Sequence, residues 1–300
     1  MLPTRNGSFH LFKFAGVNVF LHWSWFLVAV YQISYRKGLY TSDIWCVLEY
    51  LALFVIVLLH EFGHALACRS VGGKADQIVL WPLGGVAYVN PPQRPGATLW
   101  SIAAGPLVNA LLFPILSALC LLGRGQPWVM AQPNLYEFIT NLWWINLMLL
   151  VFNMLPIYPL DGGQVLRSIL WFMVGRARSL MIASVIGIIA IAALLIFAIR
   201  TPWLGIIAVF ALLQCWSGLQ QARAMARVAA APRQQNVICP GCHAAPPAGD
   251  FWICGHCQRR FDIFATRGVC PNCGMIFNAT RCLECGQEYP LHAFAPQSNP

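Results

Sequence analysis

The chain reads as an all-α polytopic membrane protein with about six transmembrane helices, a short membrane-associated β-hairpin and a small cysteine-rich C-terminal domain. Three observations predict this. Of its 300 residues, 58 % are hydrophobic and 10 % charged, and the mean hydropathy is +0.62, too apolar for a water-soluble globule. Apolar runs of spanning length recur through residue 219, and from Val237 the composition changes to closely spaced cysteines.

The runs fall at 17–35, 44–68, 98–122, 135–155, 179–199 and 203–219, each near the roughly 20 residues that a helix needs to cross the hydrocarbon. The first follows a polar start carrying Arg5 and Lys13 and shows no small-residue cleavage site, so it is expected to be an uncleaved anchor. Between the second and third runs, Gln77 to Val89 reads as two short apolar strands broken at Pro82 to Gly85, which predicts a hairpin. The expected divisions are a membrane domain over 1–219 with its core motifs in 16–175, a linker helix over 220–236, a metal-binding module over 237–290 and a tail over 291–300.

Cytoplasmic loops retain Lys and Arg. With six spans and an inside N-terminus, the inner segments collect Arg5, Lys13, Arg69, Lys74, Arg94, Arg167, Arg176, Arg178, Arg223, Arg227 and Arg233, against Arg36, Lys37, Arg124 and Arg200 outside. Both termini are therefore expected in the cytoplasm of a cell membrane of bacterial kind. The formal net charge of +9 is a product of this topology. Residues 232–300 carry five Arg against four acidic residues, which is no footprint for nucleic acid.

Within the second run stand His60, Glu61 and His64. Ionisable residues in a span are rare and mark functional sites. Two histidines four apart share one helix face, a spacing that lets both imidazoles hold one zinc ion while the carboxylate reaches a water. The plainer reading is a hydrogen-bonded histidine pair in a helical bundle. A hydrolytic zinc keeps three protein ligands, and among the acidic residues near apolar runs Asp161 stands out. It follows the inner end of the fourth run and precedes a helical stretch, Gln164 to Val174.

The tail holds Cys239/Cys242, Cys254/Cys257, Cys270/Cys273 and Cys282/Cys285. Eight thiolates at this spacing suit two structural zinc sites of four cysteines each, most simply the first two pairs together and the last two together. Disulfides are the rival reading, disfavoured in a reducing cytoplasm. With few large apolar residues, a module of this size needs metal to fold. This defines a double zinc ribbon.

The pairing of His60-Glu61-x-x-His64 with Asn153-x-x-Pro156-x-x-Pro159-Leu160-Asp161-Gly162-Gly163 resembles the site-2 protease family of intramembrane zinc metalloproteases. His22-Trp23-Ser24, Gly84-Gly85 and Gly105-Pro106-Leu107-Val108-Asn109 occur in the same order, so the likeness covers about residues 16–175. It implies a catalytic zinc on His60, His64 and Asp161, Glu61 as general base, and cleavage of a transmembrane segment of a membrane protein near the cytosolic face. Asn153 is then read as a donor to the oxyanion or as an interhelical hydrogen bond. Gly84, Gly85 and Asn109 are the expected substrate contacts, though Asn109 also suits a structural hydrogen bond. The cofactor expectation is one catalytic and two structural zinc ions. The expected partners are a membrane-protein substrate and a cytosolic adaptor on the ribbons, which here occupy the place where many family members carry PDZ or CBS modules. Two other function classes stay open: a membrane zinc-binding or transport protein, and a non-catalytic membrane adaptor.

Overall fold

The computed structural model describes residues 7–81, 84–198, 202–235 and 237–294, and these form two compact units, Met1–Gly218 and Leu219–Pro300. The first unit opens with strands. β1 (Ser8–Phe14) and β2 (Val17–His22) make an antiparallel hairpin around Ala15 and Gly16, both at positive φ, as a tight hairpin turn requires.

The expected first span over 17–35 is thereby corrected. Val17 and Val19 are fully buried and Asn18 is not, the two-residue period of a half-buried strand. Only α1 (Trp25–Tyr35), 11 residues long, is helical there, and at 1.5 Å per residue it covers about half the hydrocarbon thickness. Alternating β-branched residues decide for the strand.

α2 (Asp43–Ser70) follows, then the expected hairpin as β3 (Lys74–Trp81) and β4 (Gly84–Asn90). Pro82 and Leu83, in its break, lie outside the described residues. The hairpin joins the first one in a four-stranded sheet of order β1-β2-β3-β4. β2 and β3 run parallel, in register from Asn18↔Gln77 to Leu21↔Leu80. β4 is an edge strand.

α3 (Pro95–Gly123), α4 (Pro127–Ala131), α5 (Pro133–Asn153), α6 (Asp161–Val174) and α7 (Arg176–Ala198) continue the unit. α8 (Pro202–Ala230) is one helix that contains both the expected sixth run and most of the expected linker. Among the described residues four helices are long and apolar enough to cross a membrane: α2, α3, α5 and Arg176–Ala193 of α7.

The sheet packs on one face of α2, where Val17, Val19, Ile78 and Leu80 meet Val57, Phe62, Ala65 and Cys68. Another face of α2 leaves Leu51, Val55, Leu59 and Leu66 43–49 % exposed. So long an apolar stripe suits lipid, not water.

In the second unit, two small hairpins pair β5 (Trp252–Ile253) with β6 (Arg260–Phe261) and β7 (Ala279–Arg281) with β8 (Glu288–Pro290). Asp262 is its main hydrogen-bond hub, accepting from Gln234 Nε2, Gly249 N, Phe264 N and Ala265 N. Phe294, expected in a tail, is buried against Phe264 and Tyr289. Residues 295–300 lie outside the described part.

Candidate metal centre

α2 brings His60 and His64 one helical turn apart on its protein-facing side, and the break after α5 delivers Asp161 as the first residue of α6. His60 Nε2 lies 3.0 Å and His64 Nε2 3.3 Å from Asp161 Oδ2, and the two Nε2 atoms are 3.1 Å apart. Both histidines are buried.

The donor set itself calls for a cation. His64 Nδ1 sits 2.9 Å from the Ser101 carbonyl oxygen, which can only accept, so Nδ1 carries the proton and Nε2 a lone pair. His60 Nδ1 lies 2.6 Å from Asn109 Oδ1, and with the amide in this orientation it takes the same tautomer. Two lone pairs and a carboxylate oxygen then face one another at 3.0–3.3 Å. That is repulsive unless a proton or a metal ion stands between them, and tetrahedral zinc with bonds of about 2.0–2.1 Å sets ligand atoms about 3.3 Å apart, which matches the spacing found. The residues fit the ion that the motif implies.

Glu61, on the flank of the same helix, is also buried. Its Oε2 accepts the backbone N–H of Ala87 in β4 at 2.9 Å. Two glycines allow the close approach: a Cβ on Gly85 would overlap the Glu61 side chain, and one on Gly105 would overlap the His64 ring. The Gly84-Gly85 and Gly105-Pro106 motifs thus acquire a steric reason, with Gly84 paired to Trp81 at the start of β4.

The other expected site residues are placed as follows. Asn109 is fully buried, and its side-chain amide meets His60 and Asn146. Asn153 ends α5, half-buried, eight residues before Asp161, with no hydrogen bond to His60, His64, Glu61 or Asp161 among the described residues. His22 stacks on Trp81 at 4.8 Å and meets Ser24 Oγ at 2.5 Å. Sequence reasoning missed Asn146, the Ser101 carbonyl and the Ala87 amide. A buried amide two turns before Asn153 was the one available signal for Asn146.

In the second unit the cysteines are nested, not sequential. Cys239 and Cys242 group with Cys282 and Cys285, and Cys254 and Cys257 with Cys270 and Cys273, which corrects the simplest pairing. Aromatic packing explains it, since Trp252 meets Phe264 and Phe261 meets Phe277, pulling the second and third knuckles together. Cross-knuckle S···S separations are 3.6 and 3.8 Å. A disulfide is near 2.05 Å, whereas four Zn–S bonds of about 2.3 Å set sulfurs about 3.8 Å apart.

Spanning helices around a His/His/Asp triad whose histidines are buried, with a buried glutamate beside it, define the class of polytopic membrane proteins built on an intramembrane divalent-metal centre. The family model described as Peptidase family M50 matches residues 49–131 and 124–197. A solved structure described as the site-2 protease from Methanocaldococcus jannaschii is similar, with TM-score 0.51 and 31 % identity over 71 % of this chain and 95 % of that one. The chain belongs to the site-2 protease family. A zinc metalloprotease of Methanocaldococcus jannaschii is 36 % identical over 184 residues, covering 61 % of this chain and 51 % of that protein. Stage IV sporulation protein FB of Bacillus subtilis is 32 % identical over 125 residues, 39 % of this chain and 38 % of that protein. The chain spans about half the length of the first of these curated relatives, or less.

Proposed function

We propose that this protein is an intramembrane zinc endopeptidase that hydrolyses a peptide bond in or near a transmembrane segment of membrane-protein substrates, as in regulated intramembrane proteolysis. The observation that carries this reading is the meeting of His60, His64 and Asp161 within one ligand sphere beside the Glu61 carboxylate. A transit site for zinc would have no need of that carboxylate.

In this reading His60, His64 and Asp161 hold the catalytic zinc, and the eight clustered cysteines hold two structural ions. Bound zinc supplies Lewis-acid chemistry, polarising a carbonyl and bringing water toward a pKa of about 7. Glu61 takes the proton from the attacking water and delivers it to the amide nitrogen that leaves. Asn153 donates to the developing oxyanion, a contribution of about 3 kcal/mol.

A peptide bond in a helix is shielded, so the substrate must unwind, and its freed backbone groups then need partners. β4 offers them, because it is an edge strand that passes Glu61, and an extended segment can add to it. Helix-breaking residues in the substrate ease the unwinding. Both termini lie in the cytoplasm of a bacterial-type membrane, where the ribbons meet the substrate's soluble part or an adaptor. The test is co-reconstitution of wild type and Glu61→Gln with candidate single-span proteins. Cleavage by wild type alone supports the reading, and equal cleavage by both, or none across a membrane-proteome screen, defeats it.

A further inference from the structure

We infer that Asn146 is a positioning residue that holds His60 in its metal-binding tautomer through Asn109. The inference rests on the reading of His60, His64 and Asp161 as a zinc site and goes one layer beyond it. Asn109 and Asn146, on α3 and α5, are each fully buried. An asparagine amide can turn over, exchanging oxygen and nitrogen, so the contact between His60 and Asn109 does not by itself say which group carries the proton.

The second amide removes the ambiguity. The Asn109 backbone carbonyl oxygen, which can only accept, lies 2.9 Å from Asn146 Nδ2, so Asn146 must present its NH2 there. Its Oδ1 is thereby directed at Asn109 Nδ2, 2.8 Å away, and must accept. Asn109 then has only its Oδ1 to offer His60 Nδ1 at 2.6 Å. His60 Nδ1 is forced to carry the proton, and Nε2 faces Asp161 and His64 with its lone pair free. The fixed point of this relay is a backbone carbonyl, which cannot change role. With Asn146 gone, Asn109 is free to turn its NH2 toward His60 Nδ1, which favours a proton on Nε2 and opposes the metal.

The experiment uses the full chain in detergent, with zinc per chain measured by elemental analysis and affinity measured by chelator competition. Wild type should carry one zinc beyond the two in the ribbons. Its absence, with the ribbons loaded, overturns the metal reading and this inference with it. Given the third zinc, Asn146→Leu should weaken that site about 10- to 100-fold, as loss of an outer hydrogen-bond partner does, while the ribbon zincs stay. Asn146→Asp, whose neutral acid donates its O–H to the Asn109 carbonyl and accepts from Asn109 Nδ2, should remain within a few-fold of wild type. A merely structural role would not separate these two variants. If Asn146→Leu folds poorly, Asn146→Ala takes its place, and Asn109→Asp provides the second route, because a carboxylate accepts from His60 in either orientation. Adding Asn146→Ala to Asn109→Asp should then cost the third zinc little affinity. Wild-type affinity in Asn146→Leu, or equal losses in the Leu and Asp variants, would overturn the inference.

Discussion

Glu61 and Ala87 are joined side chain to backbone, the carboxylate Oε2 accepting the β4 amide at 2.9 Å. The proposed base is therefore fixed to the strand proposed to receive the substrate. Movement of that edge would move the base, and a segment added to β4 is placed by the same strand that orients the carboxylate.

Ala87→Pro tests this coupling. Proline removes the N–H and is tolerated at a sheet edge when the lost donor is not in the ladder. Peptidase activity should fall at least about tenfold, in the range of a misplaced general base, while zinc content stays at the wild-type level. Unchanged turnover in reconstituted vesicles would show that the bond does not orient Glu61.

A second prediction concerns the N-terminal half of α2, where Glu49 is fully buried. Arg36 Nε lies 3.1 Å from its carboxylate and the Tyr40 hydroxyl donates to it at 2.6 Å, with Asn141 Nδ2 at 3.3 Å. Removing Arg36, itself partly exposed, leaves the buried Glu49 carboxylate with neutral donors only. Arg36→Ala should destabilise the membrane unit by about 1–2 kcal/mol, and replacing both residues by leucine should recover much of that. Unfolding in mixed micelles measures both.

The site is far more legible in the sequence than the sheet that supports it. His60, Glu61 and His64 stand out because ionisable groups in an apolar run are too costly to persist there without a partner and a role, and Asp161 because it stands at the break after the fourth run. Val17 to Tyr35 misleads because an apolar strand running into an apolar helix has the composition of a spanning helix, and only the alternation at Val17 and Val19 argues against one. Asn109 and Asn146 are opaque on different grounds. An amide in a helix shows that it needs a partner, but the partner is set by how α2, α3 and α5 pack. The nesting of the cysteines is hidden likewise, since four equal Cys-x-x-Cys pairs carry no pairing information and aromatic contacts between knuckles decide it.

That nesting predicts a chemical map. Cys239→Ser should remove one zinc per chain and leave Cys242, Cys282 and Cys285 open to alkylation, with Cys254, Cys257, Cys270 and Cys273 still protected. Peptide mass mapping after brief labelling reads the pattern. Labelling of Cys254 and Cys257 in place of Cys282 and Cys285 would restore the sequential pairing.

The inner of the two nested clusters, Cys254, Cys257, Cys270 and Cys273, also has a predictable acid limit. The Asn272 side chain, with help from the Arg259 backbone, holds the Cys257 thiol down at about 6, well below the ordinary thiol value of 9.0. A thiol depressed in this way is already ionised at neutral pH, so zinc need not displace a proton there, and competition from protons sets in only as pH falls below about 6. Removing the Asn272 side chain lets the thiol rise, and zinc must then compete with a proton at neutral pH. Asn272→Ala should move acid release of zinc from the inner cluster to higher pH and leave the outer cluster unmoved. A pH titration with a chromogenic chelator, combined with thiol mapping, separates the two clusters. Equal shifts in both would show that Asn272 acts on the fold of the whole ribbon unit, and no shift in either would show that its amide does not hold Cys257.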